Sequence, residues 1–108
     1  MNAKACLLLA AALLVTSPAS PASSAGLGSE ICAVLTAVYP EVERFDPVAA
    51  RQRLVAAINM KFREDPAKLA EVRASIDREA MINCRKEREG LMKIMQTLSL
   101  SDAFEGRF

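Results

Sequence analysis

The stretch DPAKLAEVRASIDREAMINCRKEREGLMKIMQTL, residues 65–98, decides the fold. Its Asp65-Pro66 opening is a helix start: an Asp side chain accepts from the orphan N–H groups of a first turn, and Pro at the first helical position gives up no needed donor. At the helical period, Leu69, Val72, Ile76, Ala80, Cys84, Leu91, Ile94 and Leu98 fall within a wedge of roughly 120°, an ordinary core-facing width. Opposite lie Glu71, Ser75, Arg78, Lys86, Glu89 and Lys93, a face for water, with Arg85/Glu89 and Glu89/Lys93 spaced i,i+4. One helix over 66–98 is expected, its apolar stripe covered by the rest of the chain.

Three features interrupt that pattern. Glu87 projects to the middle of the wedge and Arg73 to its edge, where an unpaired charge is costly to bury. Either their stems line a helix-crossing rim with the heads in water, or they belong with Arg51 to a paired, pH-responsive charge switch. Gly90, about 1 kcal/mol worse than Ala in a helix interior, marks a place to kink or split the helix. Met81, Met92 and Met95 run along a strip beside the wedge, while Met60 lies off the main face of its own segment. Flexible thioethers suit an irregular core or an adaptable binding surface. On the second reading, the partner-binding positions are Met81, Met92 and Met95, together with Ile82, a lone apolar residue on the charged face.

Working outward, a second Asp-Pro start at Asp46-Pro47 opens an expected helix over 47–63. Leu54, Val55, Ile58 and Phe62 share one face, with Val48 nearby and Arg51 pointing towards it, either as a partner for Glu87 or as a stem covering the core edge. The turn Glu64-Asp65-Pro66 suggests that this helix and the next are antiparallel neighbours. Before it, Ser29 suits the N-cap of a helix over 30–39 with the stripe Ile31, Val34, Leu35 and Val38, and Pro40 should end it because the residue before proline is pushed out of the helical region. Tyr39 is expected at the core edge, and Gly26-Leu27-Gly28 is expected as a flexible lead-in. The tail, 99–108, holds Leu100, Phe104 and Phe108; it either frays or folds these residues onto the bundle.

The first 25 residues have the pattern of a cleavable secretory signal: a short positive start with Lys4, an uninterrupted apolar run of 11 residues from Ala5 to Val15, then a segment rich in Ser, Pro and Ala. The run is shorter than the roughly 20 residues needed to cross a bilayer core. Small residues at positions 20–25 place cleavage near 22–25 and leave a single helical domain over 26–108, periplasmic or secreted. Removing Lys4 brings the 14 basic residues to 13 against 13 acidic ones, so there is no electrostatic case for nucleic acid and no basic patch for an anionic membrane. Removing Cys6 leaves Cys32 and Cys84. An even count in an exported chain favours a disulfide; free buried thiols or an intermolecular bridge are the alternatives. A closed loop of about 50 residues would stabilise by about 4 kcal/mol in the chain-entropy model.

The chain has no histidine, which removes the commonest general base and the imidazole metal ligand. It also lacks a nucleophile elbow, a phosphate-cradling glycine loop, a calcium loop and a C-x-x-C pair. No catalytic residue, cofactor or metal is expected. The reading is an all-α bundle of three to four helices stapled by Cys32–Cys84, acting as a non-enzymatic module that binds another protein or itself.

The plan of leader, small helical domain and one long-range cysteine pair is similar to that of the acid-activated periplasmic chaperones of the HdeA type. The likeness covers plan and cysteine spacing, and it implies an acid-stress holdase loosened by self-repulsion when its carboxylates lose their charge. The plan also resembles that of secretion-system pilotins, although Ser29-Glu30-Ile31 ahead of Cys32 is not a lipobox.

Overall fold

The computed structural model describes residues 19–106, and their side chains from residue 26 onward. The expected leader's charged start and apolar run, and Phe108, lie outside these residues. Those described are all-helical: α1 (Ala19–Val42), α2 (Pro47–Lys61), α3 (Pro66–Asn83), α4 (Arg85–Met95) and α5 (Ser101–Glu105).

Both Asp-Pro starts form as expected. Asp46 accepts from the Ala49 amide at 2.9 Å and Asp65 from the Lys68 amide at 3.1 Å, each ahead of a proline in the first helical position. α1 packs on α2, α3 and α4, while α5 closes the other side against α2 and α3. The core joins Ile31, Leu35, Val38 and Val42 of α1 to Leu54 and Ile58 of α2, Val72 and Ile76 of α3, Leu91 and Met95 of α4, and Leu100. The staple is present: Cys32 and Cys84 form a disulfide with 5.9 Å between their Cα atoms.

Several boundaries differ from the expectations. α1 starts at Ala19 and continues past Pro40 to Val42. Fully buried Val42, together with the Glu41–Arg53 ion pair at 2.9 Å, anchors that last turn more strongly than one missing amide loosens it. The expected glycine lead-in is helical because Leu27 is buried and Gly28 lies against α3. A Cβ on Gly28 would sit 2.5 Å from Asn83 Nδ2 and 2.8 Å from Glu79 Oε1. α2 ends at Lys61, where Phe62 turns out of the helix and is buried as its C-cap. Nor are α2 and α3 close antiparallel neighbours, since each packs on α1 instead.

The largest correction falls on the defining stretch. The single helix expected over 66–98 is two helices, broken at Cys84, whose φ of −153° and ψ of 59° are not helical. Two tethers account for the break. Cys84 is bonded to α1 through Cys32, and Arg88 Nε donates to Asp77 Oδ1 at 3.0 Å. In one continuous helix residues 77 and 88 would be about 16 Å apart along the axis, more than the two side chains can span. Beyond the break, α4 ends at Met95 with Gln96 in the left-handed region at φ 58°, and Leu98, expected in the wedge, is 89% exposed.

Gly90 does not break the chain. It lies inside α4, where a Cβ would stand 2.6 Å from Cζ of the Tyr39 ring, so the glycine lets α1 and α4 approach around that ring. Gly90→Ala, which should gain helix propensity, is therefore expected to lower stability by about 1–3 kcal/mol through overpacking, whereas Gly90→Ala with Tyr39→Leu should recover much of the loss. Urea unfolding of the two variants measures both effects.

Candidate functional site

The four positions expected to form a partner-binding strip are not brought together. Met81 and Ile82 are exposed at the C-terminal end of α3, by 43% and 71%. Met92 is only partly buried and packs against the core, and Met95 is fully buried within it. Met95 is thus a core residue rather than a contact position: the turn of α4 after the break carries it inward beneath α2. Ser75, placed by periodicity on the water face, is also buried, its hydroxyl donating to the Glu71 carbonyl at 2.8 Å.

The charge trio does not converge either. Arg51 is buried, and its Nη1 donates to the Met95 carbonyl at 2.6 Å, placing a cation on the negative end of α4. Arg73 is exposed; it donates to Asn59 Oδ1 at 3.2 Å and lies 5.1 Å above the Phe104 ring centre. Glu87 is half-buried in the first turn of α4, the favourable end for a carboxylate, and no bond joins it to either arginine among the described residues. The expected Arg51–Glu87 pair is thereby corrected: Arg51 caps α4 from outside, while Glu87 stands at the helix's opposite end.

A different surface does form, on α2. Six large apolar residues are exposed among the described ones, and three of them, Phe45, Val48 and Met60, lie on α2 or its lead-in. Val48, Gln52, Ala56 and Met60 follow one i,i+4 row, and all four are exposed. Such a row is the kind of ridge that interdigitates with a second helix. An open groove runs along each side of it. One, of about 450 Å³, is lined by Val48, Arg51, Gln52, Val55, Asn59 and Ala103 among others. The other, of about 350 Å³, lies between α1 and α2, with Ala33, Ala37, Ala57 and Met60 in its lining and Arg53 and Lys61 as its cations. α2 contains no acidic residue.

The structure thus offers a long, weakly polar ridge between two grooves with cations beside it, an arrangement suited to holding a side-chain row of another polypeptide. No group of three or more Cys, Asp or Glu side chains that could hold a metal occurs among the described residues. Nor is any helix among them long and apolar enough to cross a membrane. Periodicity within α2 located Leu54 and Ile58 on its buried face but also set Val48 near them, whereas Val48 is 52% exposed; the missed signal lay on the outward row, where Val48, Ala56 and Met60 replace the charges that ordinarily solvate a surface helix.

Near the α1–α3 contact, Lys68 Nζ lies 2.7 Å from Glu30 Oε1 and 6.0 Å from the Phe62 ring centre. The hydrogen bond with Glu30 holds the ammonium above the ordinary lysine value, with desolvation acting in the opposite direction. Because the folded state binds this proton more tightly, the contribution is fully present below the unfolded lysine pKa, about 10.4, and is lost as pH rises through the raised value. Glu30→Gln should therefore flatten the alkaline fall in stability, as read from denaturation midpoints across that range. A slope equal to that of the unaltered protein would contradict the assignment.

Comparison of the chain with protein-family models, with curated proteins and with solved structures finds no match.

Proposed function

We infer that this is a small exported, non-enzymatic helical module that binds another protein through the outer face of α2. The observation supporting the reading is the exposed Val48–Gln52–Ala56–Met60 row between two grooves on a helix without acidic residues. A surface helix with no binding role ordinarily places charges on its outward face, and an exposed apolar row rimmed by polar groups is a common mark of a protein-binding site. Export rests on the leader pattern, and the Cys32–Cys84 bond is compatible with an oxidising compartment.

The test is comparative capture from envelope extract. Ala56→Arg combined with Met60→Gln should abolish recovery of the partner while leaving the far-ultraviolet spectrum and thermal midpoint unchanged, because both residues face solvent. Met81→Ser with Ile82→Ser should leave recovery intact. Equal recovery by the α2 variant and the unaltered protein would remove this reading, and loss confined to the Met81/Ile82 variant would move the site to the end of α3.

A further inference from the structure

We propose that the occupant of the α2 face is an amphipathic helix of a partner protein, apolar along one side and edged with carboxylates. This rests on the reading of that face as the binding surface and adds the chemistry of what it binds.

Shape sets the first requirement. From Val48 to Met60 the row extends for roughly 18 Å, or about three turns of a companion helix. Its side chains are Val, Gln, Ala and Met, with Ala56 low in the centre and Ala33, Ala37 and Ala57 in the adjoining groove. Small residues at the crossing permit close approach, while Met60, 64% exposed, can adapt to the partner's contour. An i,i+4 ridge between two grooves favours a helix over an extended strand, because no sheet edge with unpaired backbone groups is present among the described residues.

Charge sets the second requirement. Cations stand on both sides of the row: Lys61 and Arg53 in the groove beside α1, and Arg73 above Phe104 beyond the other groove. Glu41, bonded to Arg53 at 2.9 Å, offsets one of them, Asp102 and Glu105 of α5 stand on the Ala103 side, and the fifteen residues of α2 contribute no carboxylate. An apolar helix edged with Glu or Asp complements the groove beside α1, where Arg53 and Lys61 stand, whereas one edged with Lys meets like charge there. The same cations disfavour a second copy of this chain. Pairing α2 with α2 sets cations against cations, and the outward faces of α3 and α4 mix both signs.

The test uses two three-turn amphipathic peptides with the same Leu/Ala face, one edged with Glu and the other with Lys, followed by fluorescence anisotropy on the intact oxidised protein. The Glu-edged peptide is expected to bind at least about tenfold more tightly than the Lys-edged one and to weaken as salt is raised. Ala56→Arg should abolish its binding. That variant blocks the row by bulk while adding positive charge, so the loss cannot come from charge repulsion. Met60→Gln should weaken binding without the bulk. Equal binding of both peptides, still blocked by Ala56→Arg, would overturn the carboxylate preference and leave the docking face standing. Binding of neither peptide, or binding indifferent to both substitutions, would overturn the preference and the face together. A concentration-dependent dimer in sedimentation, dispersed by Ala56→Arg, would assign the row to a second copy and overturn the proposal.

Discussion

Replacing Cys32 and Cys84 together by Ala is expected to destabilise the protein by about 4 kcal/mol, the largest effect of any change considered. The bond joins residues 52 apart in sequence, so without it the unfolded chain regains the freedom of a long loop. A domain this small has total stability on the order of 5–15 kcal/mol, of which the staple is then a large part. The folded state also loses something specific. Cys84 is at once the C-cap of α3 and the N-cap of α4, and its non-helical backbone is held where it is bonded to α1. The urea midpoint of the double variant should fall by more than about 1 M. Coincident unfolding curves would mean that packing alone holds the break at residue 84.

Asp77→Ala is expected to cost about 2–4 kcal/mol, well above the usual effect of changing a surface carboxylate. Asp77 Oδ1 accepts from the Leu100 amide at 2.7 Å and from Arg88 Nε at 3.0 Å, while Oδ2 accepts from the Ser101 amide at 3.0 Å. One side chain on α3 therefore supplies a cap for α5 and a tether for α4. Its own side chain is 25% exposed and that of Arg88 11%, so the pair is screened less than a surface ion pair. Removing the carboxylate leaves two backbone donors and a guanidinium without these acceptors. Leu100, fully buried, and Ala103 should then loosen from the core. Amide hydrogen exchange should show the effect as lost protection over α5 before α1 or α2 changes. Asp77→Asn, which retains an acceptor oxygen, should be intermediate.

Much of the fold is legible in the chain because its local signals agree with its packing. Asp46-Pro47 and Asp65-Pro66 carry their own capping chemistry, and the apolar rows of α2 and α3 are regular enough to identify Leu54, Ile58, Val72 and Ile76 as core. With Cys6 assigned to the expected leader, Cys32 and Cys84 leave one intramolecular pairing. What escaped sequence reading depends on contacts remote in the chain. No glycine or proline marks Cys84 as a helix end; the break is made by Cys32, 52 residues earlier, and by the reach from Arg88 back to Asp77. Gly90 looked like a breaker because the Tyr39 ring that requires it is on another helix. Pro40 is overridden by burial of Val42.

The candidate site illustrates the same division. Periodicity grouped Met81, Met92 and Met95 as though one helix ran through them, and the break sends the last two inward. Arg51 appeared as a partner for Glu87, whereas its Nη1 donates to the end of a helix. The α2 face was visible in part, since Met60 stands off the buried side, but its meaning depends on the grooves that α1 and α5 build on either side of it.

Methyl-resolved NMR of the oxidised protein, titrated with the Glu-edged helical peptide, tests the role of the α2 face most directly. The Met60 and Val48 methyl resonances should move together with Ala56, while Met81 and Ile82 stay in place. Shifts confined to Met81 and Ile82, with the α2 row unmoved, would contradict the assignment of this face.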